Sequence, residues 1–286
     1  MSSVITKTDA VVLKAMKYRD SSKIVTFYTR RFGKLKGIAK GARQLRSKFG
    51  SSLDPLSQVS LVLYKKEQRD LHLISQCDLR GSPKQTRSDL EKMAVGLAVL
   101  ELVDQVAHEE EGHEALYLLL SETLDRIEDA ERNVLNLYFS FVLRSSALLG
   151  FSPDVASCSA CNRSLDELEG ERSVFFRLSS GGILCPSCAE GSRTRDGTRD
   201  LRVHERGTRN IPAVREEGRV RVEIGTMKVL SFLLKSPLAK VTSLALGPEK
   251  GNEIDGTLRL YLRQHFENIK PVKALDLLRK FNSAGS

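Results

Sequence analysis

Residues 158–161 read Cys-Ser-Ala-Cys and residues 185–188 read Cys-Pro-Ser-Cys, so two cysteine pairs of equal spacing stand 23 residues apart. A two-residue gap lets one tight turn present both thiolates to the same ion, and two such turns complete a tetrahedral site. A zinc ion held by four thiolates has no open coordination position, so its role would be structural. We therefore predict a zinc module at about residues 155–190. Its predicted ligands are Cys158, Cys161, Cys185 and Cys188.

Two other interpretations of these thiols stay open at this point. They could form two disulfides, or they could be ordinary buried cysteines. The first ten residues are polar and lack the apolar stretch of a secretory signal, so we expect a cytoplasmic protein. Disulfides are uncommon in that reducing compartment. The fifth cysteine, Cys77, lies in an apolar–polar alternation and is predicted to be a packed strand residue.

Working outward from the cysteines, the charge of the chain is unevenly distributed. The 286 residues carry a net charge of +9, which favours an anionic partner. Residues 1–80 hold 17 Lys and Arg against 6 Asp and Glu, whereas residues 81–150 hold 6 against 13. No apolar run reaches the ~18 residues that span a bilayer. The asymmetry predicts an N-terminal polyanion-binding module joined to a domain with another task.

The N-terminal 80 residues have strand patterning, with short apolar-rich segments separated by turns. Five short strands fit an OB-fold barrel, and a small SH3-like barrel is the alternative. The predicted strands are Ala10–Lys17, Lys23–Thr29, Leu35–Lys40, Val59–Tyr64 and Leu71–Gln76.

Beyond residue 80, apolar residues recur at helical spacing. We predict an α+β protein: an OB-fold DNA-binding domain at 1–80, and a mainly α-helical domain at 81–286 that carries the zinc module. A polar, Arg-rich segment at about 190–220 is interpreted as a mobile insertion. Helices are predicted from about residue 88 to Ala107, at Glu114–Ile127, Arg132–Leu149, Thr226–Leu234, Glu249–Phe266 and Val272–Phe281.

Basic side chains are dense in the predicted barrel, and aromatic residues are interleaved among them. Neutralising phosphates with such side chains releases counterions and drives sequence-independent binding, while exposed rings can stack on bases. The alternative is a solvated basic surface over a core that uses most of the rings. The predicted DNA-binding residues are Arg30, Arg31, Lys34, Lys36, Lys40, Arg43, Arg46, Lys48, Phe49 as a possible base stacker, Lys65, Lys66 and Arg69.

Signatures of catalysis are missing from the sequence. There is no G-x-x-x-x-G-K-[ST] phosphate loop. His108-Glu109 and His113-Glu114 place their histidines five residues apart rather than four, so they do not reproduce the H-E-x-x-H zinc motif. We interpret this stretch as an acidic linker and predict a protein that is not an enzyme, with no catalytic residues.

Several stretches, taken in order, resemble the RecO family of bacterial recombination mediators. Their order and spacing together make the resemblance specific, and it covers nearly the whole chain apart from about 190–220. The stretches are residues 8–14, 20–26, 31–35 and 39–43, the run from Leu148 to Cys161, the run from Gly181 to Cys188, and Leu258-x-x-Tyr261-Leu262-x-x-His265.

This resemblance implies a DNA repair and recombination mediator of the RecFOR pathway, associated with the nucleoid. It implies binding to single- and double-stranded DNA and annealing of complementary strands. The implied partners are RecR, the single-strand-binding protein and, through the mediator assembly, RecA. Some family members lack the four cysteines, which supports a structural zinc. The Arg-rich segment departs from the family pattern.

Two other functions compete with a DNA-annealing mediator. One is an RNA-binding or transcription-associated adaptor with a zinc ribbon, which would prefer RNA over DNA of equal length. The other is a zinc-dependent nuclease, whose strand cleavage a chelator would abolish.

Overall fold

The computed structural model describes residues 4–65, 69–81, 83–191, 214–215 and 218–284. Lys66, one of the predicted DNA contacts, lies outside these residues. Most of the Arg-rich segment predicted to be mobile lies outside them as well.

The described residues form the following elements in chain order. The strands are β1 (Val4–Tyr18), β2 (Ser22–Thr29), β3 (Gly33–Ala39), β4 (Gln58–Lys65), β5 (Leu71–Leu79), β6 (Asp154–Cys158), β7 (Ser173–Arg177), β8 (Gly182–Leu184), β9 (Val214–Arg215) and β10 (Arg219–Glu223). The helices are α1 (Lys84–Ser88), α2 (Leu90–Val106), α3 (Glu114–Asp129), α4 (Leu135–Leu148), α5 (Pro186–Gly191), α6 (Ile224–Lys235), α7 (Leu238–Val241), α8 (Pro248–His265) and α9 (Lys273–Ala284).

The chain folds into two compact units. One contains Met1–Val134 together with Val272–Ser286, and the other contains Leu135–Pro271. Helices α1, α2, α3 and α9 therefore belong to the same unit as the N-terminal strands. The division of the chain at residue 80 into a DNA-binding and a helical domain stays a prediction.

Strands β1 to β5 form a barrel in the order β1-β2-β3-β5-β4, closed by the pairing of β1 with β4. All neighbours are antiparallel except β3 and β5, which run parallel. Alternate residues point inward, as Leu61 and Leu63 do on β4, and the interior is apolar. Cys77 lies in this interior, as predicted, and burial raises the pKa of its thiol to about 11. The predicted OB-fold barrel is confirmed.

The helices of the first unit are fixed by polar contacts as well as by apolar packing. Asp89 caps α2 by accepting a hydrogen bond from the Lys92 N–H at 2.8 Å. Helix α9 packs on α2, and its first N–H, at Lys273, donates to Glu101 at 2.7 Å. Helix α3 touches the barrel through Asp125, which accepts from Gln58 at 2.6 Å. The barrel is thus one part of a larger compact unit.

The second unit combines helices with a sheet that was not expected from the sequence. Its strands follow the order β6-β8-β7-β10-β9. Helix α4 is buried on most of its surface and packs against α6 and α8. The Ser140 hydroxyl on α4 donates to the Leu233 carbonyl at 2.7 Å, and Asn136 donates to the Val241 carbonyl at 2.9 Å. The α+β class with a helical part after the barrel is confirmed.

No helix within the described ranges is both long enough and apolar enough to cross a bilayer.

Candidate nucleic-acid interface and metal centre

Residues 40–48, named here the cationic loop, leave β3 and are held in place by their own backbone and by a buried neighbour. The N–H of Gln44 donates to the Gly41 carbonyl at 3.1 Å, and the N–H of Ser47 donates to the Gln44 carbonyl at 3.0 Å. Immediately after the loop, Phe49 is buried in the barrel core. The loop is therefore two consecutive turns with an apolar anchor.

The cationic loop is also attached to the turn between β1 and β2. The backbone N–H of Arg43 donates to the Ser21 carbonyl at 3.0 Å, and its guanidinium Nη1 donates to the Arg19 carbonyl at 3.0 Å. This contact brings the exposed Arg19 beside the loop. Arg19 is not among the predicted contacts, because only the pairing of two turns that are distant in sequence indicates its place.

The charged side chains of the cationic loop face solvent. Lys40, Arg43, Arg46 and Lys48 are exposed, and none lies within ion-pair distance of a carboxylate in the described part of the chain. The Lys48 ammonium donates to the Ser75 carbonyl at 2.6 Å, which anchors its stem without neutralising its charge. Four predicted DNA contacts are thereby gathered on one short loop.

The structure corrects the prediction for Phe49. Its ring is 4% exposed and packs in the barrel core, so it has no open face on which a base could stack. Tyr28 is buried too, and Phe32 packs partly against the same core. Burial of an aromatic ring removes a large apolar area from water, which favours placing these rings in the core.

The other predicted contacts are divided between paired and unpaired cations. Arg31 and Arg69 are exposed and are not paired with a carboxylate in the described residues. Four others are paired with residues 104–114, named here the acidic segment, which runs from the end of α2 into α3. These pairs are Lys34 with Asp104 at 3.9 Å, Lys36 with Glu109, Lys65 with Glu110 at 2.8 Å, and Arg30 with Glu114 at 2.5 Å.

The acidic segment lies against the barrel through its backbone as well as its carboxylates. The Glu110 N–H donates to the Lys34 carbonyl at 3.0 Å, and Lys34 and Glu109 form an isolated β-bridge. Gly33 has φ of +62°, and a Cβ there would overlap the Glu111 carbonyl. Glycine is therefore required at this close approach. The predicted acidic linker is a structural partner of the barrel.

Glu110 bridges two barrel side chains. One carboxylate oxygen accepts from Lys65, and the other lies 3.3 Å from Nε2 of the fully buried His72. The hydrogen bond from Lys65 lowers the pKa of Glu110, and His72 lowers it further, against the opposing effect of burial. The carboxylate form is therefore favoured where it meets the barrel.

The four cysteines of the two predicted pairs meet in the second unit. The sulfurs of Cys158, Cys161, Cys185 and Cys188 all lie within 4.8 Å of one another. Bonds of about 2.3 Å in a zinc tetrathiolate place its sulfurs ~3.8 Å apart, and the Cys161 and Cys185 sulfurs are 3.9 Å apart. The set of donors fits a tetrahedral metal site.

Backbone pairing between two short strands brings the thiol pairs together. Cys158 at the end of β6 pairs with Ile183 on β8, and the Ser159 N–H donates to the Ile183 carbonyl at 2.8 Å. The Asn162 N–H donates to the Cys158 carbonyl at 2.8 Å and closes the turn that carries the first pair. The second pair follows β8 directly, so both turns meet at one end of the sheet.

Hydrogen-bond donors favour the thiolate form of Cys158 and Cys161, whereas hydrogen bonding with the Cys185 and Cys161 sulfurs raises the pKa of Cys188 to about 12. A guanidinium N–H of Arg163 donates to the Cys185 sulfur at 3.1 Å, and the Cys185 N–H donates to the Cys158 sulfur at 3.3 Å. Hydrogen bonding from Arg163 lowers the pKa of Cys161 to about 6. Thiolates are the form that binds metal, so these donors suit a metal centre.

An OB-type barrel with a cationic loop, followed by a second unit with four clustered cysteines, defines the class: a barrel protein with a candidate metal site. Comparison with known families gives the particular family. Residues 1–83 match the family model described as Recombination protein O N terminal, and residues 87–198 match the one described as Recombination protein O C terminal.

Individual relatives agree with the family models. The chain is 30% identical to DNA repair protein RecO of Chloroherpeton thalassium over 97% of this chain and 99% of that protein. It is 30% identical to the protein of that name from Symbiobacterium thermophilum over 95% and 96% of the two chains. A third, from Chlorobaculum parvum, is 37% identical over 65% and 73%. The chain belongs to the RecO family.

Proposed function

We propose that the protein is a DNA repair and recombination mediator that binds single- and double-stranded DNA and anneals complementary strands. Together with RecR, it helps to load RecA onto DNA coated with single-strand-binding protein. The observation that carries the proposal is the cationic loop, whose four exposed cations have no carboxylate partner among the described residues, on the barrel of a RecO-family chain.

Annealing by this protein needs no bond chemistry. Two DNA strands repel each other as polyanions, and a cationic surface offsets the repulsion while it concentrates the strands. The contacts go mainly to phosphates, so the sequence preference is weak. No side chain is assigned a catalytic role in this proposal.

The predicted DNA contacts can be ranked by whether each cation already has a carboxylate partner. The cationic loop supplies the first phosphate contacts, and Arg31 and Arg69 can supply others because neither is paired with a carboxylate in the described part of the chain. Arg30, Lys34, Lys36 and Lys65 already have carboxylate partners, so a phosphate must replace a carboxylate at each of them. We therefore assign these four a secondary role.

We also propose that the four thiolates bind one zinc ion. A closed tetrathiolate site supplies no position for a substrate, so the ion stabilises the fold around β6, β8 and α5. Arg163 offsets part of the negative charge that four thiolates accumulate, through its hydrogen bond to the Cys185 sulfur. Annealing therefore does not depend on metal chemistry.

The decisive experiment follows annealing of complementary strands that have been coated with single-strand-binding protein, in EDTA and without ATP. Faster pairing in the presence of the protein is the expected result. An unchanged rate with tight binding to bare DNA reduces the function to that of a DNA-binding adaptor. A strong preference for RNA of equal length would instead support the RNA-binding adaptor.

A further inference from the structure

Leu45, at the tip of the cationic loop, is fully exposed to solvent. Single apolar residues on a protein surface are ordinary and need no explanation by themselves. The surroundings of this one are not ordinary, because Arg43 and Arg46 flank it and Lys40 and Lys48 bound the same loop.

The loop holds this leucine outward by its own construction. The two backbone hydrogen bonds that make its consecutive turns end and begin at Gln44, the residue before Leu45. The Arg43 N–H ties one side of the tip to Ser21, and the buried Phe49 anchors the other side. Exposure of Leu45 therefore results from a fixed geometry.

We propose that Leu45 packs against the face of an unpaired base while the flanking cations bind the phosphates on either side. This assignment rests on the proposed DNA-binding function and deepens it. Phe49 is buried and cannot contact a base. The proposal therefore assigns the base contact to Leu45, which is exposed in the same segment between β3 and β4.

The chemistry of the loop selects single-stranded DNA as the occupant. Unpaired bases expose apolar faces beside a charged backbone, and proteins place apolar side chains against such faces next to cations. In a duplex the same faces are stacked, and reaching them costs unstacking energy. Cations alone would bind both forms through phosphates. Leu45 thus favours the unpaired strand.

The first test uses Leu45→Trp, which is a clean reporter because the natural chain contains no tryptophan. We expect its fluorescence to be quenched by a thymidine oligonucleotide, and far less by an abasic strand of the same length. The matched control is Leu118→Trp, since Leu118 is an exposed leucine on α3 outside the loop. Equal quenching by both strands, or quenching by anionic lipid vesicles instead of oligonucleotide, overturns the proposal.

The second test compares affinities of the full-length protein and Leu45→Ser at fixed salt. Half-burial of a leucine side chain is worth about a fivefold difference in affinity, so the variant should bind the thymidine strand about fivefold more weakly. Its binding to the abasic strand should be unchanged. Unaltered binding of Leu45→Ser to both strands refutes the role of Leu45 while DNA binding stands. If the natural protein binds neither strand, the proposed function itself fails.

Discussion

The ammonium group of Lys65 lies 2.8 Å from a carboxylate oxygen of Glu110, so this predicted phosphate contact already has an anionic partner in its own chain. The ring of Phe32 lies 5.1 Å from the same ammonium, which places the charge beside an aromatic face as well. A phosphate that binds Lys65 must therefore displace a carboxylate, so we expect the acidic segment to compete with DNA for this side of the barrel.

Removing the carboxylates should strengthen DNA binding. In the triple variant Glu109→Gln, Glu110→Gln and Glu114→Gln, three barrel cations lose their ion pairs and become free for phosphates. For single strands, each new phosphate contact steepens the log–log salt dependence of affinity by about 0.7. Titration of a labelled oligonucleotide at several salt concentrations measures this slope.

The matched control for the triple variant is Glu122→Gln on α3. Glu122 faces Arg126 at 3.8 Å within the same helix, so its substitution removes one negative charge without freeing a barrel cation. If the salt dependence steepens as much per removed charge in the control as in the triple variant, net charge sets the affinity and the acidic segment does not.

Acid should weaken the attachment of the acidic segment. The folded-state pKa of Glu110 is lowered, chiefly by Lys65, so the stabilisation is present above the ordinary glutamate pKa of about 4.3 and is lost as pH falls through the lowered value. Because the Glu110 side chain is 39% exposed, solvent screening limits the effect to at most ~1 kcal/mol.

Denaturant unfolding of the natural protein and Glu110→Gln at a series of acidic pH values checks this. The two free energies of unfolding should differ at neutral pH and converge as pH falls below the ordinary glutamate range. A difference that grows on acidification would contradict the sign of the pKa shift.

Neutralising the cationic loop should weaken DNA binding more than neutralising a paired lysine. Arg46→Gln removes an exposed charge that is not paired with a carboxylate in the described ranges, so the single-strand salt dependence should become shallower by about 0.7. Lys36→Gln removes a charge that Glu109 already offsets, and it should change the slope much less. Equal losses for the two variants would mean that DNA uses both faces of the barrel alike.

The barrel could be predicted from the sequence because its strands alternate regularly. The period-two spacing of Leu61 and Leu63 predicts the inward face of β4, and this pattern can be recognised without knowing which strands pair with β4. The second sheet could not be predicted in the same way. Strand β8 is three residues long and all of them are buried, so it has no period to detect.

The sequence indicated which residue types form the candidate site, but it indicated only part of their spatial arrangement. Cysteine spacing led directly to the four clustered thiols, since each pair is local in sequence. The pairing of Arg30 with Glu114 joins residues 84 positions apart, and no local pattern carries that information. Phe49 and Leu45 lie four residues apart, and the folded structure decides their exposure: the barrel core buries Phe49, and the turns of the cationic loop expose Leu45.

Loss of one thiolate should loosen the second unit and spare DNA binding by the barrel. Metal analysis of the natural protein should find about one zinc per chain, and Cys185→Ser should lose it, because a tetrathiolate site needs all four ligands. Structural zinc contributes on the order of 10 kcal/mol to local folding, so the variant's second unit should unfold at a lower temperature. Cys77→Ala is the matched control, since that cysteine is buried in the barrel and its replacement should leave the zinc content unchanged.

Low-salt affinity for an oligonucleotide should be the same in Cys185→Ser and the natural protein. Zinc retained by Cys185→Ser, or DNA affinity lost together with the metal, would contradict a purely structural zinc.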